Sequence, residues 1–143
     1  MKVLFASSEC APFFKTGGLG DVTGALPKEL AKNPDMQVTV ILPYYKYGIA
    51  EHYKAHMKDE FWDYVNVRWR HEYVGVKRLV QDNVSYYFLD NENYFGRDEI
   101  YGYGDDGERW AFFCLAIAQL IERLAFVPDI LHVNDCHTAM LPF

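Results

Sequence analysis

A chain of 143 residues, half of them hydrophobic and 17% aromatic, can bury a core, which excludes a disordered protein. The net charge of -6 argues against broad binding to nucleic acid or to an anionic membrane. The 3 cysteines form no C-x-x-C pair and suit reduced thiols, so we expect a cytoplasmic protein. From the charge, we expect that it binds neither nucleic acid nor a membrane.

The chain begins with an apolar run, residues 3–6, that predicts a buried central strand. A long connection containing Lys15, Gly17 and Gly18 leads from it into a helical pattern. Glycines allow a close approach of the backbone, and a helix N-terminus offers unpaired N–H groups to an anion. The sequence therefore predicts a phosphate site to which Lys15 adds positive charge. A tight connection with a solvated lysine is the alternative interpretation.

The two commonest phosphate-binding signatures are missing from this connection. Counting from Gly18 and Gly20, a dinucleotide fingerprint needs a third glycine where Thr23 stands, and there is no Gly-Lys-[Ser/Thr] sequence. The second predicted strand, residues 38–42, is followed by Pro43 and not by an acidic residue that could hold a ribose. Both observations disfavour a nicotinamide-dependent oxidoreductase.

Residues 19–33 follow a helical period, with Val22, Leu26 and Leu30 on one apolar stripe. Pro27 lies inside the pattern, so the helix either kinks or restarts there.

Residues 61–90 alternate between apolar and polar side chains, which predicts a β-hairpin or meander, or an antiparallel edge to the sheet. The following loop, residues 90–108, is rich in glycine and aromatic residues, among them Tyr94, Tyr101 and Tyr103. Such rings can form a platform for sugar rings, or they can pin the loop to the body of the domain. The sequence leaves both interpretations open.

Residues 110–123 form the clearest predicted helix, because their apolar residues recur at helical spacing. Acidic residues precede this helix and Arg123 lies near its end, as the helix dipole favours. The acidic cluster is therefore interpreted as helix charging and not as a metal site.

Residues 130–133 predict another central strand, and the polar residues 134–138 follow it, with a second helix beginning near Thr138. In open α/β sheets, ligands bind at the carboxyl ends of the strands. We therefore expect the Lys15 loop and residues 134–138 to face one crevice, together with residues 43–45.

Three residues in this region, His132, Asp135 and His137, could suggest a metal site. Their spacing fits no common ligand pattern, so no metal is expected. Asp135 or Thr138 can instead cap a helix.

Several motifs, taken in order along nearly the whole chain, resemble bacterial glycogen synthases and plant starch synthases. They are Lys15-Thr16-Gly17-Gly18-Leu19-Gly20-Asp21-Val22, Ala25-Leu26-Pro27-Lys28, Tyr94-Phe95 with Arg97 and Tyr101-Gly102, Glu108-Arg109-Trp110, and His132 with Asn134-Asp135 and His137-Thr138. The most specific of them is Lys-Thr-Gly-Gly-Leu after a first strand.

The resemblance implies an α/β fold, a Rossmann-like open and mostly parallel sheet with an inserted β-hairpin or meander. Residues 1–143 would be the N-terminal domain of a two-domain GT-B type retaining glycosyltransferase. Such enzymes move glucose from ADP-glucose to the non-reducing end of an α-1,4-glucan, without metal or cofactor. The C-terminal nucleotide-sugar domain would be absent and the chain truncated. Without that domain's donor clamps, we expect negligible transferase activity from the chain alone.

The resemblance also implies roles for single residues. The catalytic residues would be Lys15, Asp21 and Asn134. Lys15, Gly17 and Gly18 would bind the donor diphosphate, and Tyr101, Asn134 and Asp135 would contact the sugar or the acceptor. Many relatives carry a histidine in place of Asn134 and a tryptophan in place of Cys136.

Two alternatives remain beside the enzyme. One is a non-catalytic carbohydrate-binding module that binds maltooligosaccharides through the loop between Tyr94 and Tyr103. The other is self-association of the truncated sheet through an exposed edge or an apolar patch.

Overall fold

One mixed sheet organises the chain, and the computed structural model describes residues 1–143. The strands are β1 (Lys2–Ala6), β2 (Gln37–Pro43), β3 (Lys58–Val67), β4 (Arg70–Gln81), β5 (Val84–Asp90) and β6 (Ile130–Val133). The helices are α1 (Gly18–Leu30), α2 (Glu51–Lys54), α3 (Glu92–Phe95) and α4 (Asp106–Leu120), and a 3-10 turn spans Cys136–Thr138. None of these helices combines the length and the apolar character needed to cross a membrane.

The strand order is β3-β4-β5-β2-β1-β6. The strands β5, β2, β1 and β6 are mutually parallel, whereas β3 and β4 form an antiparallel hairpin whose second strand pairs with β5. The predicted Rossmann-like, mostly parallel sheet is therefore confirmed, and the alternating residues 61–90 supply its antiparallel edge.

Burial separates the central strands from the edge strands. Leu4 and Phe5 of β1 and Ile41 of β2 are buried, as expected for strands covered on both faces. The central position predicted for residues 130–133 is not observed among the described residues. In the chain described here, β6 pairs only with β1 and Ile130 is 44% exposed. A four-residue apolar run shows no alternation, so its sequence cannot distinguish a central strand from an edge strand.

The hairpin buries one face beneath α4 and exposes the other, as its alternation requires. The buried side carries Val65 and Val74, whereas Tyr64 points to the opposite side and is exposed. The helix is also tied to β3 by hydrogen bonds, since Gln119 donates to the Tyr64 carbonyl at 2.8 Å. The helix predicted at residues 110–123 is confirmed as α4, and its apolar stripe is buried.

The apolar stripe of α1 is mostly uncovered, although its last member, Leu30, packs against the core. Val22 is 54% exposed and Leu26 is 36% exposed. The buried residues of this helix are instead Gly20, Thr23, Gly24 and Pro27. Small residues allow the helix to lie close to the preceding loop, because a Cβ on Gly24 would stand only 2.6 Å from the Ala11 carbonyl oxygen. Close backbone packing therefore decided this interface, and hydrophobic periodicity did not.

The tyrosines of residues 90–108 pin the loop to the body of the domain. Tyr94 is fully buried, and the Tyr103 hydroxyl accepts a hydrogen bond from the Glu99 N–H at 3.0 Å. The buried guanidinium of Arg109 donates to the carbonyls of Tyr94 and Ile100, both at 2.8 Å. The interpretation as an open sugar platform is therefore not supported by this loop.

The acidic residues at the start of α4 lie at its N-terminus, as helix charging predicts, and they also contact other residues of the chain. Asp105 forms a two-pronged ion pair with Arg97, with separations of 2.6 and 2.7 Å. The hydrogen bonds from Arg97 lower the pKa of Asp105. Asp106 accepts from the Gly102 N–H at 2.9 Å and from Arg109 at 2.8 Å.

Candidate functional site

Loops from three parallel strands converge at one edge of the sheet. Residues 7–17 follow β1 and residues 134–138 follow β6, which is the neighbour of β1. Ser8 Oγ lies 2.9 Å from His137 Nδ1, and the Tyr45 hydroxyl, from the loop after β2, donates to the Ser8 carbonyl at 2.7 Å. The predicted meeting of these loops at the carboxyl ends of the strands is confirmed.

Lys15 and Asp21 form an ion pair at the mouth of this region. Lys15 Nζ lies 2.6 Å from Asp21 Oδ1, and the two side chains are 43% and 61% exposed. Lys15 also lines a cavity of about 200 Å³ together with Tyr45 and Arg97. The ammonium group is therefore within reach of a ligand. A larger cavity, about 480 Å³, lies near the amino ends of β2 and β5 and includes none of the predicted site residues.

The glycine-rich loop is held in place by Glu9, whose side chain is almost completely buried at 2% exposure. Its Oε1 accepts from the N–H groups of Gly17 and Gly20 at 3.1 and 2.9 Å. Its Oε2 accepts from the Thr16 hydroxyl at 2.9 Å and from the Tyr101 hydroxyl at 2.8 Å. The Gly17 N–H, which was predicted to face a phosphate, therefore already has an acceptor.

These donors also fix the ionisation of Glu9. Burial acts to raise its pKa, but the hydrogen bonds from Tyr101, Thr16, Gly20 and Gly17 outweigh burial and lower it. Glu9 is therefore a buried carboxylate at neutral pH, and its charge is compensated by hydrogen-bond donors alone.

Tyr101, a predicted sugar contact, lies between the two converging loops. Its hydroxyl is 2.6 Å from Ser8 Oγ, and its ring stacks on the His137 ring with centroids 4.6 Å apart. Burial raises the pKa of Tyr101, so the phenol stays protonated. Trp110 meets the imidazole edge-to-face, with ring centroids 4.9 Å apart.

Two predicted residues after β6 differ in accessibility. Asn134 is buried, and its amide donates to the Ala6 carbonyl at 2.9 Å, which ties the segment to β1. Asp135 is exposed, and its backbone φ of 65° lies in a region that residues other than glycine rarely occupy. Thr138 supports this conformation, since its hydroxyl accepts from the Asn134 N–H at 2.7 Å. Strained backbone of this kind clusters at functional sites.

The expected second helix near Thr138 is a 3-10 turn, Cys136–Thr138. The ligand atoms of Asp135, Cys136 and His137 lie within 4.8 Å of one another. His137 Nδ1, however, is already hydrogen-bonded to Ser8. Burial and then the neighbouring Asp135 raise the pKa of the Cys136 thiol, which disfavours the thiolate that a metal would need. The absence of a metal remains a prediction.

Three residues of this region, Ser8, Glu9 and His137, are not predicted as hydrogen-bonding residues by the sequence motifs. Ser8 and Glu9 look like an ordinary polar end of a strand, yet both are buried. Three consecutive polar residues at the carboxyl end of a predicted central strand are the signal that could have identified them. Their partners, 93 and 129 residues away for Ser8, could not be read from the sequence.

Comparisons with known proteins agree with one another. A family model described as the starch synthase catalytic domain matches residues 2–143. The chain is 69% identical to a glycogen synthase from Lactococcus lactis subsp. lactis and 59% identical to one from Ligilactobacillus salivarius. Each alignment covers 100% of this chain and 30% of the relative, so the chain spans about a third of their length.

A solved structure is similar over nearly the whole chain. It is the catalytic domain of starch synthase IV from Arabidopsis thaliana bound to ADP and acarbose. The TM-score is 0.86 at 26% identity, and the match covers 98% of this chain and 29% of that one.

Proposed function

Because this chain belongs to the starch synthase catalytic domain family, we propose that it forms the N-terminal Rossmann-like domain of a cytoplasmic glycogen synthase. The reaction is transfer of glucose from ADP-glucose to the non-reducing end of an α-1,4-glucan, with retention at the anomeric carbon. The observation that supports the proposal is the contact at one rim of the sheet between the connection after β1, which carries Lys15, and residues 134–138. ADP and acarbose in the Arabidopsis relative support the nucleotide and the glucan-like ligand.

The donor side of the site consists of positive charge and backbone dipoles. Negative charge grows on the diphosphate as the bond to glucose breaks. The Lys15 ammonium and the N-terminus of α1 at Gly18 can stabilise that charge, whereas the Gly17 N–H is already bound to Glu9. Asp21 holds Lys15 at 2.6 Å until the diphosphate competes for it. Because these groups supply the positive charge, neither a metal nor a cofactor is part of the proposal.

The sugar side consists of Asp135, Asn134 and Tyr101. The exposed Asp135 carboxylate can accept hydrogen bonds from sugar hydroxyls, and a hydrogen bond from the Cys136 N–H lowers its pKa. The polar groups of Asn134 and Tyr101 already have partners in the chain. These two residues therefore act by holding the segment after β6 and the loop of residues 90–108 against β1 and the connection that follows it.

A C-terminal nucleotide-sugar domain completes the cleft in this proposal. With one wall alone, the diphosphate loses the remaining donor clamps, and transition-state stabilisation falls with them. The 143-residue chain on its own is therefore proposed to be inactive.

The experiment compares the full-length protein with the 143-residue chain, using radiolabelled ADP-glucose or UDP-glucose and a maltooligosaccharide acceptor. Incorporation into polymer by the full-length protein alone is the expected result. Glucan binding without transfer from either donor would favour the carbohydrate-binding module instead. Measurable transfer by the isolated chain would refute its proposed inactivity.

A further inference from the structure

Four side chains form a continuous hydrogen-bonded chain between the glycine-rich loop and the segment after β6. Glu9 Oε2 is 2.8 Å from the Tyr101 hydroxyl, which is 2.6 Å from Ser8 Oγ, which is 2.9 Å from His137 Nδ1. Glu9 and Ser8 are buried, and Tyr101 and His137 are partly buried. We refer to these four residues as the relay.

The direction of every proton in the relay follows from Glu9, because a carboxylate can only accept. The Tyr101 hydroxyl must donate to Glu9, so its oxygen accepts the proton of Ser8. Ser8 has one proton and has then used it. The remaining bond, between Ser8 and His137, must therefore be donated by His137 Nδ1.

The state of the imidazole follows from this accounting. Burial lowers the pKa of His137, so the ring is neutral at neutral pH and carries its single proton on Nδ1. Nε2 then has a free lone pair. Nε2 makes no hydrogen bond within the chain and is not among the buried polar atoms, so it reaches solvent.

We propose that His137 is a sugar-binding residue whose Nε2 accepts a hydrogen bond from a hydroxyl group of the hexose in the crevice. Glu9, Ser8 and Tyr101 are positioning residues that hold the imidazole in its Nδ1–H form. The same carboxylate binds the amides of Gly17 and Gly20, so one buried charge orders the phosphate side and the sugar side together. The sugar contact rests on the proposed function, whereas the tautomer does not.

The tautomer is tested on the chain itself by nitrogen-15 NMR of its histidine rings. His137 is expected to show a protonated Nδ1 and an unprotonated Nε2 at neutral pH. In the Tyr101→Phe variant, which keeps the ring, Ser8 is free to donate to Nδ1, so the population should shift toward Nε2–H. The Ser8→Ala variant removes the acceptor and should also reduce the Nδ1–H population.

The matched control is Tyr103→Phe, which removes a hydroxyl from the same loop outside the relay. It should leave the His137 signals unchanged. An Nε2–H or a doubly protonated His137 in the unaltered chain would overturn the proposal. It would also be overturned if both relay variants left the tautomer unchanged.

The sugar contact is tested in the full-length protein with two substitutions that divide the functions of the imidazole. His137→Gln can place an amide oxygen near the position of Nε2, whereas His137→Asn can replace only the bond to Ser8. We expect the KM for the sugar substrate to be roughly five- to tenfold higher in the Asn variant than in the Gln variant. Equal KM values for the Asn variant and the unaltered protein would contradict the contact. If the unaltered full-length protein transferred no glucose, the proposed function would be rejected. The NMR result on the His137 tautomer would still stand.

Discussion

Lys15 and Asp21, six residues apart in sequence, face each other at 2.6 Å across the first turn of α1, and both side chains are largely accessible. Exposed ion pairs of this kind add little to stability, with a median contribution of about 0–1 kcal/mol. In the proposed function, this pair holds the lysine cation ready for the diphosphate.

Replacing Lys15 with alanine should impair turnover more than folding. In the full-length protein, Lys15→Ala is expected to lower kcat roughly 10²–10³-fold, as for removal of one preorganised charge-stabilising group. Glucan binding, measured by co-sedimentation, should be retained. The control is Lys32→Ala, which breaks another exposed 2.6 Å ion pair, with Glu29, at the far end of α1. Equal turnover in both variants would remove Lys15 from the donor site.

Two glycines of the same loop should respond differently to alanine. A Cβ on Gly20 would lie 2.4 Å from Lys15 Cβ and 3.1 Å from Glu9 Oε1, so Gly20→Ala should cost about 1–3 kcal/mol of unfolding free energy. A Cβ on Gly18 would meet no atom within 4 Å, so Gly18→Ala should leave stability unchanged. The Gly18 variant should instead weaken ADP-glucose binding if the diphosphate approaches the backbone there. Urea denaturation and calorimetry measure the two effects separately, and equal stability of the two variants would contradict the steric argument.

The charge of Glu9 should appear in the pH dependence of stability. Its pKa is lower in the folded chain than in the unfolded chain, where it is about 4.3. Its contribution is therefore complete above that value and is lost as the pH falls through the folded-state pKa. Glu9→Gln should cost about 1–3 kcal/mol at neutral pH, and the difference should shrink on acidification. Urea denaturation of the variant and the unaltered protein, from neutral to acidic pH, measures this difference in unfolding free energy. The exposed Glu29→Gln serves as control, and a difference that grows toward acid would show the opposite sign of shift.

The cysteines should differ in reactivity. Cys136 is exposed, whereas Cys10 and Cys114 are buried, and burial raises the pKa of Cys10 to about 12. A thiol reagent should therefore modify Cys136 first, and mass spectrometry of the digested protein identifies the site. Asp135→Asn should accelerate labelling of Cys136, because the carboxylate disfavours the neighbouring thiolate. Labelling of Cys10 before Cys136 in the folded chain would contradict the described burial.

The sequence by itself determined the elements whose signal is local. The apolar runs of β1 and β2, the alternation of β3 and β4 and the helical period of α4 each reflect burial on a face that the element's own residues define. The expectation that the Lys15 loop belongs to a ligand site then followed from the rule that ligands bind at the carboxyl ends of strands.

Only the tertiary structure decided which groups meet across long sequence separations. Val22 and Leu26 of α1 face solvent because glycines on the other side of that helix allow closer backbone packing. Glu9 is a structural carboxylate because Tyr101, 92 residues later, folds over it. The sequence specifies a side chain's chemistry and its local face, but a hydrogen bond between distant residues depends on strand order and loop path, which no local pattern encodes.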